Sequence, residues 1–165
     1  AVGYSTAHEN GQAASEHVAV YVLTSPLDDT SWSLLGDAMA AAQGLLTADQ
    51  EMGGGVVTLS ARGGVLAIGS QDGAKNTVVL LQWSRLSNSW EGLGTNNVLE
   101  GESSSSHFGA SLVLNKEGTR LFVGAPGAPG SSNVGKVFIY QYLELENEWK
   151  QLTDPIPSLV AGDGM

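Results

Sequence analysis

The chain predicts an all-β fold of repeated, four-stranded antiparallel units, and three observations carry that prediction. Trp-x-x-Leu recurs as Trp32-Ser33-Leu34-Leu35, Trp90-Glu91-Gly92-Leu93 and Trp149-Lys150-Gln151-Leu152, with 58 and then 59 positions between tryptophans. Residues 54–63 overlay 109–118 without a gap at an offset of 55, and Leu66-Ala67-Ile68-Gly69 falls on Leu121-Phe122-Val123-Gly124 at the same offset. A Val/Tyr-rich run follows each of these glycines, at Val18-Ala19-Val20-Tyr21-Val22-Leu23, Val78-Val79-Leu80-Leu81-Gln82-Trp83 and Val137-Phe138-Ile139-Tyr140-Gln141-Tyr142.

Each unit thus has a Ser/Leu/Val strand, a Leu-x-Val-Gly strand, a Val/Tyr strand and a short Trp-bearing strand. β-branched and aromatic residues fill these runs, and Gly, Asn, Ser and Pro separate them, as strands and turns require. The first unit opens late: Ala1-Val2-Gly3 overlays the tail of the second strand, and the first strand is missing. Its connector, Asp37-Ala38-Met39-Ala40-Ala41-Ala42-Gln43-Gly44, is rich in helix formers and predicts a short helical turn that packs locally. In the next connector, Ser103-Ser104-Ser105-Ser106 reads as a flexible link. At the end, the segment from Ser158 resembles Asn97-Val98-Leu99-Glu100, the lead into a following unit. The divisions are residues 1–52, a partial unit with connector; 53–107, a full unit; and 108–165, a full unit with the start of another connector.

The second and third strands are apolar nearly throughout rather than alternating, which predicts cover on both faces. Four-stranded units stacked face to face are the blades of a β-propeller, with a period here of 55–60 residues. Closed propellers need about four to eight blades. Two complete units and one partial one are therefore expected to form an incomplete ring, as a segment of a longer polypeptide; the alternative is assembly with other chains to complete a ring or stack.

Phe108-Gly109-Ala110-Ser111-Leu112, followed by Gly118-Thr119-Arg120-Leu121-Phe122-Val123-Gly124-Ala125-Pro126-Gly127, resembles the FG-GAP repeat of integrin alpha-chain propellers. The Trp-x-x-Leu-Gly segment further resembles the long FG-GAP-like repeats of algal and bacterial surface proteins. Only the last unit carries both signatures; Gly53-Gly54 and Gly69-Ser70-Gln71 replace them in the middle unit. The resemblance implies an extracellular or cell-surface location, with an organelle lumen as the alternative. It also implies calcium held between the second and third strands by alternating Asp and Asn oxygens. Such a site needs six to eight hard oxygen ligands. None of the corresponding loops has two acidic residues at ligand spacing, so no metal or cofactor is assigned; Ser70, Asp72 and Asn76 come nearest.

Composition narrows the classes. With 7 Lys+Arg against 17 Asp+Glu, the net charge of −10 disfavours binding to nucleic acid or an anionic membrane surface. No apolar run approaches the ~20 residues that span a bilayer as a helix. The absence of cysteine excludes disulfides, thiolate metal sites and cysteine nucleophiles. No Asn-x-Ser/Thr sequon is present.

No residue is assigned a catalytic role. His8, His17 and His107 occupy non-equivalent positions. Asp28-Asp29 and Glu144, Glu146 and Glu148 precede a repeat tryptophan and read as solvated charge at a turn. Recurrence makes Trp32, Trp90 and Trp149 packing residues, and Trp83, whose equivalents are Leu23 and Tyr142, reads the same way. Tyr4 is the one aromatic that resembles an exposed loop residue of a lectin. The expected function is a non-catalytic structural and interaction module, for adhesion or multi-subunit assembly. Its partners would be other protein subunits, glycans or further blades of the same chain. The alternative is a glycan-binding or glycan-processing propeller whose site lies on blades outside this segment.

Overall fold

A computed structural model describes residues 2–7, 15–23, 32–36, 39–40, 56–70, 76–127 and 135–158. They form three antiparallel sheets, one per sequence unit, and none closes into a ring. The first contains β1 (Val2–Ala7), β2 (Ser15–Leu23), β3 (Trp32–Leu34) and β4 (Met39–Ala40). The second contains β5 (Val57–Leu59), β6 (Val65–Ser70), β7 (Thr77–Ser84), β8 (Ser89–Gly92) and β9 (Val98–Glu100). The third contains β10 (Ser111–Leu114), β11 (Arg120–Ala125), β12 (Lys136–Leu143), β13 (Glu148–Gln151) and β14 (Ile156–Pro157). Among the described residues no helix is long and apolar enough to cross a membrane.

The fourth strand is broken in every sheet. In the second sheet β8 pairs with the end of β7 and β9 with its beginning, so Leu93-Gly94-Thr95-Asn96-Asn97 bulges between two strands on one edge. The Leu93 N–H still donates to the Leu80 carbonyl at 2.9 Å and the Leu80 N–H to the Asn97 carbonyl at 2.7 Å, which keeps the edge continuous. In the first sheet the second half of this edge is β4, paired with β2. Met39 and Ala40 are therefore strand rather than the expected helical turn, because pairing to a neighbour overrides a weak local propensity. Residues 41–44 lie outside the described set.

The register also corrects the overlay at both ends. Tyr4 faces Val18 across the ladder as Gly69 faces Val78, so the first unit is one residue out of step with the sequence alignment and Tyr4 belongs to a strand. Ile156 faces Val137 as Leu99 faces Val78, which puts Ser158 at the position of Gly101 rather than Asn97. Ser158 and Gly101 each donate an N–H to the equivalent carbonyl, Gly135 and Asn76, at 2.6 and 2.8 Å.

The turns explain recurring polar residues. Ser60 and Asn115 close the first hairpins with side-chain oxygens: the Val65 N–H donates to Ser60 Oγ at 3.1 Å, and the Arg120 N–H to Asn115 Oδ1 at 2.9 Å. Asn88 and Asn147 sit two residues before a repeat tryptophan with φ of 54° and 53°. Asn tolerates this left-handed conformation better than most residues. The serine run is folded: Ser104–Ser106 makes a 3-10 turn, and the Asn76 side chain donates to the Ser104 carbonyl at 3.0 Å.

Two apolar clusters join the sheets face to face. Val18 and Val20 of the first sheet meet Leu66, Ile68, Val79, Leu81 and Trp90 of the second. From the opposite face of the second sheet, Ala67, Val78, Leu80, Leu93 and Leu99 meet the third sheet, where Phe108, Leu121, Val123, Phe138 and Trp149 lie. Adjacent residues on β6 and β7 enter different clusters, so this sheet is covered on both faces as its unbroken apolar runs predict. The third sheet differs. On β10 and β11 the buried residues alternate with exposed Val113 and Phe122, and among the described residues nothing covers that side.

Candidate interaction site

The contacts between sheets begin with the tryptophan hairpin. β12 and β13 pair so that Tyr142 lies opposite Trp149, and their rings pack with centroids 5.4 Å apart. Trp149 is 3 % exposed, and its Nε1–H donates to the Leu93 carbonyl of the preceding sheet at 3.1 Å. The other junction repeats the arrangement: Trp90 is 5 % exposed, packs edge-on against Trp83 at 5.6 Å, and donates to the Leu35 carbonyl at 3.3 Å. Leu35 and Leu93 are the leucines of Trp-x-x-Leu in the two units. The motif is thus both halves of one joint, with the tryptophan as donor to the sheet before and the leucine carbonyl as acceptor for the sheet after. Buried polar groups demand partners, and each half satisfies the other.

A second device strengthens the joint between the second and third sheets. Asn96, on the bulge, accepts from the Trp149 N–H at 2.7 Å and donates to the Trp149 carbonyl at 2.8 Å. Next to it the Thr95 N–H donates to the Asn147 carbonyl at 2.8 Å. The bulge can reach because six positions separate Leu93 from Leu99, against four between Leu35 and Met39 or Leu152 and Ile156. This clamp was invisible in the sequence, but the recurring Leu-x-Asn-x-Trp of the hairpin that it grips was not: it reads Leu86-Ser87-Asn88-Ser89-Trp90 and Leu145-Glu146-Asn147-Glu148-Trp149.

Trp32 departs from its equivalents. It is 48 % exposed, although the repeat makes it a packing residue, since burial of the indole at the other two positions comes from the sheet before. It also borders a cleft of about 590 Å3 between the first two sheets, with Tyr21, Trp83, Leu35, Arg62 and Arg85. The two junctions also differ at their hairpins. A Cβ added at Gly118 would come within 2.5 Å of Val65 Cγ2, from the hairpin of the preceding unit, whereas at the equivalent Gly63 it would meet nothing within 4 Å. Aromatic walls beside two guanidinium groups suit stacking on a ring and attraction to an anion.

The other expected sites are dispersed. Asp72, Asp28, Asp29 and His8 lie outside the described residues. Ser70 and Asn76 are buried, and Asn76 Oδ1 has no hydrogen-bond partner while its Nδ2 holds the Ser104 carbonyl. His17 lies in β2, and His107 ends the 3-10 turn with φ of 53°. Among the described residues no three His, Asp or Glu side chains gather to hold a metal ion. Glu144 is exposed, and Lys150 pairs with both Glu146 and Glu148. Hydrogen bonding to Lys150 holds the Glu146 carboxyl below its ordinary range, and the two carboxylates raise Lys150. Burial, with the Glu102 charge adding to it, pushes the Tyr140 phenol from 10.0 up to about 12.

Phe108, Gly109 and Gly124 have clear structural work. Phe108 is fully buried, edge-on to Phe138 at 5.2 Å, and the Gly109 N–H donates to the Gly124 carbonyl at 3.0 Å. Compared with models of protein families and with curated proteins, the chain matches none.

Proposed function

We propose that these sheets are blades of a β-propeller of the FG-GAP type, and that the chain is a non-catalytic structural and interaction module. It belongs, on this reading, to a larger extracellular or luminal protein that serves adhesion or multi-subunit assembly. One observation carries the reading: both described junctions use the same tryptophan-to-leucine-carbonyl bond between sheets packed face to face. A joint that repeats with the sequence period propagates a stack, and radial stacking of such sheets is how propellers are built. Burial of Phe108 and the hydrogen bond between Gly109 and Gly124 support the FG-GAP reading, and no cofactor enters it.

Electron microscopy of the native polypeptide that contains this chain tests the reading. Class averages with a ring of wedge-shaped sheets are expected, and a straight or helical stack would contradict it. Exchanging this segment in that polypeptide for an unrelated domain should abolish attachment or subunit assembly; loss of a catalytic turnover instead would mean an enzyme. The aromatic and arginine lining of the cleft favours a second reading, glycan binding, which an array of neutral and acidic glycans checks directly.

A further inference from the structure

Each junction sets a tryptophan hairpin against the connector of the sheet before, and the two are built alike up to one point. In both, the glycine after the motif leucine packs on the aromatic residue paired with the tryptophan: a Cβ on Gly36 would come within 2.7 Å of Trp83 Cζ3, and one on Gly94 within 3.3 Å of Tyr142 Cε2. The Trp83 N–H donates to the Gly64 carbonyl and the Tyr142 N–H to the Thr119 carbonyl, so neither bonds the tryptophan opposite it in the ladder. The backbone N–H and C=O of Trp90 and of Trp149 therefore point off the open edge of their sheets. At Trp149 the Asn96 amide takes both groups, and beside it the Thr95 hydroxyl donates to the Asn147 carbonyl at 3.3 Å. At Trp90, among the described residues, no side chain takes them. Three positions after the motif leucine the first connector has Ala38 where the second has Asn96, and an alanine side chain has no polar group to offer.

We propose that the bulge between Leu93 and Leu99 is a strap that locks the third sheet to the second, and that the joint between the first and second sheets is the seam where the array yields. Opening the strapped joint breaks the Trp149 indole bond, both Asn96 bonds and both Thr95 bonds to the Asn147 carbonyl together. Opening the other breaks the Trp90 indole bond with no such strap behind it. Local opening follows the weaker set of contacts, and each hydrogen bond added to a joint lowers its open population. The second and third sheets then move as one body, and bending of the array concentrates before the second sheet. Further sheets on either side leave this contrast in place, because strap and seam both lie between neighbours that are present. The strap presupposes the stacking reading of the repeat.

Indole exchange, resolved by nitrogen-15 NMR on the chain, tests the strap, because each of these indole N–H groups is released when its joint opens. Trp149 should exchange about tenfold or more slowly than Trp90, as two added hydrogen bonds of ordinary strength imply. Asn96→Ala should bring Trp149 close to the rate of Trp90. Gly36-Asp37-Ala38 separate Leu35 from Met39, and replacing them by a copy of Gly94-Thr95-Asn96-Asn97-Val98 should slow Trp90 by a similar factor. Equal rates in the unsubstituted chain overturn the proposal, as does an Asn96→Ala variant that keeps the original ratio. A folded graft that leaves Trp90 unchanged overturns it too; should the graft not fold, the Asn96→Ala comparison decides. Exchange at both indoles as fast as in free tryptophan removes the joints and with them the stacking reading, whereas equal and slow rates remove the strap alone.

Discussion

Truncating Trp149 should do far more damage than truncating Trp32, although the two occupy the same place in the repeat. Trp149 is almost wholly buried, packs on Tyr142 and donates to the Leu93 carbonyl. Trp149→Ala removes the ring and leaves a cavity between sheets, a loss of about 3–5 kcal/mol. Part of this, about 1–3 kcal/mol, is the penalty of leaving a buried carbonyl unpaired, and Trp149→Phe isolates that part. For a chain of this size roughly 2–4 °C of Tm accompanies each kcal/mol, so Trp149→Ala should lower Tm by roughly 6–20 °C. Trp32→Ala, at a half-exposed position, should cost about 1 kcal/mol or less. Thermal and urea unfolding followed by circular dichroism gives both values. Equal losses for the two variants would refute the reasoning that the preceding sheet, rather than the motif itself, makes the tryptophan structural.

Gly118→Ala should destabilise more than Gly63→Ala: both need a positive φ, which costs about 1–2 kcal/mol for a residue with a Cβ, but only Gly118 faces Val65. Matching losses in urea titrations would contradict the inter-sheet contact. Asn96→Ala should cost about 1–3 kcal/mol by releasing both polar groups of the Trp149 backbone, and faster hydrogen exchange at the Trp149 amide would show it. The Tyr140 phenol titrates higher folded than its ordinary value of 10.0, near 12, so its stabilising contribution is complete below pH about 10 and is lost as pH rises toward 12. Tyr140→Phe should flatten the alkaline fall in stability, and an unchanged slope would show that burial of this hydroxyl is not its cause. Lys150→Ala should leave Tm unaltered, since its ion pairs with Glu146 and Glu148 are exposed and water screens them; a clear drop on mild denaturation would contradict that.

Periodicity made most of the fold legible. The apolar runs of β6 and β7 announced a sheet covered on both faces, and the spacing of the tryptophans marked hairpins that are built alike. Features that depend on neighbours escaped. Trp32 opens the same Trp-x-x-Leu motif as its equivalents, yet burial at this position comes from another sheet. Met39 and Ala40 sit among helix formers, but the free edge of β2 takes them as a strand. The broken fourth strand was hidden because Leu93-Gly94-Thr95-Asn96-Asn97 reads as an ordinary loop, and its hydrogen bonds to Leu80 need the register to be seen. The Asn96 clamp depends on two extra residues in one unit, which an overlay treats as slack. The Ser104–Ser106 turn is specified by Asn76, 28 residues away from the carbonyl it holds, and no local signal records that contact.

Successive sheets are joined by a tryptophan of one and the leucine carbonyl of the sheet before. Hydrogen exchange of the indole N–H groups, resolved by nitrogen-15 NMR on the dilute chain, tests it most directly. Slow exchange is expected at the Trp90 and Trp149 indoles, both of which donate across a junction. Indoles at these two positions that exchange as fast as free tryptophan would contradict it.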